Sequence, residues 1–124
     1  MEYTFTEKKA IFKLLSEISL SDGEAHKLET SVIINAIRAT EEIISSSLKM
    51  SRNVAISTMK LMSNDKRMNF TKMMHDVLMA DKIIRASEIE SIKSILTAMD
   101  LTDLSQIHTD LSIALGVASY HSKG

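Results

Sequence analysis

Apolar residues return every three or four positions along the chain, and no segment alternates apolar and polar at every second residue. That pattern predicts helices throughout and no sheet. Thr4 to Glu7 fits a capping box, so a first helix is expected from about Phe5 to Leu20, ending before the turn dipeptide Asp22-Gly23. A second helix is expected from near Lys27. Leu28, Val32, Ala36, Ala39 and Ile43 form one stripe on it, and Ile33, Ile37 and Ile44 form its neighbour. So wide an apolar face suits a central helix packed on two sides. Its end or bend is expected at Ser45-Ser46-Ser47, where serine competes for backbone hydrogen bonds.

Ser51 is the expected cap of a short third helix carrying Val54, Ala55, Met59 and Met62. Asn64 or Asp65 is expected to cap a fourth, with Met68, Met73, Val77, Leu78 and Ala80 inward. A fifth begins near Ala86 or Ser87, with Ser87 to Glu90 as a second capping box, and is lined by Ile89, Ile92, Leu96 and Met99. Thr102 or Asp103 is expected to cap a last helix through Ile107, Leu111, Leu115 and Ala118, with a frayed tail from Tyr120 to Gly124. The expected fold is all-α, a compact bundle of about six helices in one domain over residues 1–124.

Two stretches organise this reading, Ser19–Glu29 and Leu78–Glu88. In each, an apolar helical run ends at an aspartate (Asp22, Asp81), and a glutamate follows seven residues later (Glu29, Glu88) before the apolar period resumes. The two lie 59 residues apart and read as an internal repeat of helical hairpins.

Composition narrows the class. The chain has no cysteine, which excludes disulfides, zinc–thiolate sites and thiol catalysis. With no proline and three glycines, little interrupts a helix. Fifteen Lys and Arg against sixteen Asp and Glu give a net charge of −1, unlike a domain that binds nucleic acid through phosphates. A nucleic-acid interface would have to use Lys49, Arg52, Lys60, Lys66, Arg67 and Lys72, and none is expected. No apolar run approaches the ~20 residues of a membrane span, and the polar start does not resemble a signal peptide. A cytoplasmic protein without direct membrane insertion is expected.

The candidate chemistry is acidic. If the hairpins pack as a pseudo-twofold pair, Asp22, Glu24, Glu29, Asp81 and Glu88 come near one another, and their mutual repulsion is relieved by a hard divalent cation, calcium or magnesium. The spacing is not that of an EF-hand, since the last position of a twelve-residue loop starting at Asp22 is Ile33. The competing reading is local. A glutamate early in a helix reaches back to the cap amide, and His26 and Arg85 stand at the cap positions without a suitable side chain. His75 is a further candidate neighbour. The methionines clustered from Met59 to Met79 read as core before they read as a partner groove. Catalytic signatures are missing: there is no phosphate loop, no nucleophile elbow and no HExxH. The alternative function is a metal-dependent enzyme that uses the clustered carboxylates, and it requires a concave pocket beside them.

The two turns, Ser21-Asp22-Gly23-Glu24 with Glu29 and Ala80-Asp81-Lys82-Ile83 with Glu88, resemble those of the TerB-like family. That family is named for a tellurite-resistance protein, and a related domain begins certain membrane-anchored DnaJ-type co-chaperones. The likeness spans about Phe5 to Met99. It departs at Lys82, in place of a second glycine, and at Ile83, where the first copy has Glu24. The resemblance implies an all-helical fold and acids that bind metal or present a negative surface. It also implies a non-enzymatic binding or scaffold role in stress-response assemblies, with protein partners and often in a membrane-associated complex.

Overall fold

The computed structural model describes residues 1–21 and 27–122, giving the backbone alone at Leu104 and from residue 117 onward. The described residues form seven α-helices and a 3₁₀ turn, with no strand. The helices are α1 (Phe5–Ser19), α2 (Lys27–Ile37), α3 (Glu41–Lys49), α4 (Arg52–Leu61), α5 (Asn64–Met79), α6 (Ala86–Ala98) and α7 (Thr109–Ser122). The all-α expectation holds, and the count exceeds the expected six.

α1 is the axis of the bundle. The Thr4 hydroxyl accepts from the Glu7 amide at 3.1 Å and the Glu7 carboxylate accepts from the Thr4 amide at 2.8 Å, the reciprocal cap its sequence predicts. Ala10, Ile11, Leu14, Leu15 and Ile18 then have no exposed surface, and the helix packs against α2, α3, α4, α5 and α6. α5 packs against α1, α2, α6 and α7, burying Phe70, Met74, Val77 and Leu78 completely. Met59, Met62, Met73 and Met74 are buried in the same core, as the helical spacing predicts, whereas Met68 is half-buried and Met79, at the end of α5, faces solvent.

The long second helix is two helices. α2 stops at Ile37, and Arg38 turns left-handed at φ 52°, so that the Ala39 amide donates to the Ile34 carbonyl at 3.0 Å. This is a Schellman stop made without glycine. Thr40 then caps α3, accepting from the Ile43 amide at 3.3 Å, with Glu41 and Glu42 in the first turn. The serine run does not break the helix. The Ser45 hydroxyl donates to the Glu41 carbonyl at 2.9 Å and that of Ser47 to the Ile44 carbonyl at 2.7 Å, so both are satisfied within α3. The stripe also shifts: Ile33 and Ile37 are buried, while Leu28 and Ala36 face solvent.

Other caps differ by a few residues. Ser51 caps α4 as expected, but Ser63 and not Asn64 or Asp65 caps α5. Asp103 accepts from the Ser105 amide at 2.9 Å and starts the 3₁₀ turn Leu104–Gln106, a bond that holds its carboxyl below the usual carboxylate range. α7 is capped by His108, whose Nδ1 accepts from the Asp110 amide at 3.2 Å, and its backbone stays helical to Ser122, past the expected fraying point. No helix among the described residues is long and apolar enough to cross a membrane.

Candidate functional site: a buried acidic cluster around Arg85

Glu29 and Glu88 are each the third residue of a helix, α2 and α6, and neither has any exposed surface. They meet at the guanidinium of Arg85, the residue immediately before α6. Arg85 Nη1 lies 2.7 Å from Asp81 Oδ2, 3.3 Å from Glu29 Oε2 and 3.5 Å from Glu88 Oε1. One nitrogen thus gathers carboxylates from the α2 first turn, the segment after α5 and the α6 first turn. Asp81 also closes the turn, with Oδ1 accepting from the Ile83 amide at 3.1 Å, while Lys82 between them is left-handed at φ 62°.

Three of the five sequence candidates, Glu29, Asp81 and Glu88, are therefore brought together. Asp22 and Glu24, with His26, lie outside the described residues. The local capping reading fails at α6. Arg85 makes no side-chain cap bond, and neither Glu88 oxygen accepts a hydrogen bond from an N–H or hydroxyl of a described residue, so Glu88 does not reach back to the cap amide. Glu29 Oε1 likewise accepts no hydrogen bond from an N–H or hydroxyl of a described residue, and the two glutamate carboxyls share a hydrogen bond with each other.

The electrostatics follow from burial. The Glu29 carboxyl is pushed up to about 8, first by loss of water, then by the hydrogen bond it shares with the Glu88 carboxyl and by the charges of Glu88 and Asp81, with Arg85 opposing. The Arg85 guanidinium is pushed further up, chiefly by its bond to Asp81, so it stays charged. Both glutamates sit at helix N-termini, where the dipole favours an anion, yet this does not outweigh desolvation at Glu29. No three Asp, Glu or His among the described residues are placed to ligate one metal ion as the site stands.

The pattern reading missed Arg85 as part of the site. Its signal is present in the spacing, four residues after Asp81 and three before Glu88, which puts it in reach of both. His75 does not join the cluster by any described contact; its Nδ1 lies 3.7 Å from Asp76. Most of the basic residues considered for nucleic acid are engaged elsewhere. Arg52 pairs with Glu17 at 2.8 Å, Lys60 with Asp100 at 2.9 Å, Lys66 with Glu7 at 2.8 Å and Lys72 with Asp76 at 3.3 Å, and Arg67 bonds to Asn64. Two clefts lined by described residues lie away from the acids. One, of about 720 Å³, lies between the amino-terminal segment and the end of α2. The other, of about 220 Å³, lies between α1 and α3 and reaches Arg52.

The chain matches no protein-family model, no curated protein and no solved structure.

Proposed function

We propose that this chain is a non-enzymatic, TerB-like binding module, a scaffold in a stress-response assembly of the tellurite-resistance kind, whose buried acidic turns accept a divalent cation such as calcium or magnesium. The observation that carries this reading is the meeting of Glu29 and Glu88, fully buried on two different helices, with Asp81 beside them. The donors are oxygens only, which suits a hard cation. Glu29, Asp81 and Glu88 would hold the ion, whose charge would offset their repulsion.

The two-hairpin reading has support in the element bounds. α1 and α5 begin at Phe5 and Asn64, and α2 and α6 at Lys27 and Ala86, each pair 59 residues apart. Buried positions keep the same offset: Ile11 and Phe70, Leu14 and Met73, Ile18 and Val77, Ile33 and Ile92, and the two glutamates. A protein partner fits the apolar residues that flank the acids in sequence and stay in solvent: Leu28, Met79, Ile83 and Ile84.

The test is thermal unfolding with added calcium. Calcium at a hundred times its dissociation constant should stabilise the chain by roughly 2.7 kcal/mol. The Glu29→Gln/Glu88→Gln double variant should fold and show no such gain. If calcium, magnesium, manganese and zinc all leave the melting temperature of the parent unchanged, the cation reading is wrong.

A further inference from the structure

The cleft between α1 and α3 brings buried and exposed apolar residues onto one surface. Phe12 and Leu14 of α1 line it and are buried, while Leu20, at the end of α1, is 51 % exposed and Leu48 of α3 is 77 % exposed. Its volume is about 220 Å³. That falls short of the roughly 300–1,000 Å³ of pockets that enclose a whole small ligand, yet exceeds the roughly 150 Å³ of a cavity that takes up benzene. The space suits one large apolar side chain, presented by a chain that lies across it.

The charge at this cleft is positive. Lys13 and Arg52 line it, and Lys49 is exposed next to Leu48 in α3. The acid that lines it, Glu17, is engaged by Arg52, whose Nε donates to Oε1 at 2.8 Å. Arg52 Nη2 donates to Ser94 Oγ at 3.0 Å, and the remaining guanidinium N–H groups have no partner among the described residues. Lys13 and Lys49 likewise make no ion pair with a described residue. At the other end of α3, Glu41 and Glu42 carry the opposite sign.

We propose that this cleft docks an acidic amphipathic helix of a partner protein, with one apolar side chain seated between Leu20 and Leu48 and carboxylates over Lys13, Lys49 and Arg52. A groove between two helices is the usual seat of a third, whose apolar face supplies affinity through a few anchor residues. The charges then set direction and discrimination. The acidic end of the partner lies toward Lys49 and Arg52, and away from Glu41 and Glu42. The chain as a whole is nearly neutral, so the local excess of cations, and not the net charge, selects the partner. The surface lies away from the acidic turns and works whether or not they hold a cation.

Two synthetic helical peptides test the docking. They share the same leucine face and carry glutamate in one, lysine in the other, at every polar position. Each is added to the whole chain while backbone amide shifts are followed by NMR. The glutamate peptide should move the amides of Leu20, Leu48 and Arg52, and the lysine peptide should bind at least tenfold more weakly. Leu48→Ser changes an exposed side chain, so it should leave the melting temperature unchanged and weaken the glutamate peptide about tenfold. The Lys13→Glu/Lys49→Glu variant should lose the preference for the glutamate peptide. No binding of the glutamate peptide, equal affinity for the two peptides, shifts confined to Leu28, Ile83 and Ile84, or indifference to Leu48→Ser each overturn the proposal. Sedimentation of the chain alone covers the remaining occupant: a dimer that Leu48→Ser dissociates puts a second copy on the cleft and overturns it as well.

Discussion

A glutamate at the third position of a helix ordinarily lies at the surface and bonds the cap amide. Glu29 and Glu88 share that position but are buried, and burial raises the cost of their charge. The consequence is a specific pH dependence. Unfolded, Glu29 titrates near 4.5; folded, it titrates near 8. Below about pH 4.5 it is protonated in both states. From there to about pH 8 the unfolded chain has released the proton and the folded chain keeps it. The folded state then binds more protons, so stability falls as pH rises across this window and levels off above it. The steepest loss is roughly 1.4 kcal/mol per pH unit. Glu29→Gln, close in shape to the protonated acid, removes this loss. Melting curves of parent and variant should therefore diverge between pH 5 and pH 8, the parent losing ground. Parallel curves would show that Glu29 ionises as an ordinary carboxylate.

At the scale of elements, the break between α2 and α3 is the clearest departure from the periodicity. Arg38 holds φ 52° without being glycine, a backbone state that costs a side-chain-bearing residue energy. Its side chain is solvent-exposed, so Arg38→Gly should leave the packing alone and raise stability by about 1 kcal/mol in urea unfolding at unchanged slope. A loss instead would show that the arginine side chain holds the junction. The sequence carried part of this junction. Thr40-Glu41-Glu42 is a helix-start signal, but the apolar run continues through it at Ala39, Ile43 and Ile44 and hides it. Where caps and period agree, as at Thr4 and Ser51, the helix starts were legible. The site was legible to the extent that Asp81, Glu29 and Glu88 share a spacing across the two turns. Arg85 was not, because a cation at a cap position ordinarily faces solvent. Only the packing of α2 beside α5 and α1 beside α6 turns it inward onto acids from both hairpins.

At the scale of the molecule, stability is unevenly distributed because the helices do not share contacts equally. α1 touches five other helices, so almost no part of the core can open without exposing it. α7 rests on α5 and α6 through Leu111, Ala114 and Leu115. Opening α7 exposes a limited apolar area, whereas opening α1 dismantles the bundle. Native-state hydrogen exchange should therefore show α1 amides exchanging only through global unfolding and α7 amides through a lower-energy opening. Truncation should follow the same order. Leu14→Ala removes a side chain with no exposed surface from the axis and should cost 2–5 kcal/mol, roughly, in global stability. Leu115→Ala should act mainly on the α7 opening, lowering protection there more than at α1. The acidic site belongs to the cooperative part of this hierarchy, because Glu29 and Glu88 start helices that both pack on α1. A cation held by them should therefore raise protection in α1, α2 and α6 together and leave α7 nearly unchanged. Protection confined to the segment between α5 and α6 would mean that the acids act locally and that their burial does not couple the two hairpins.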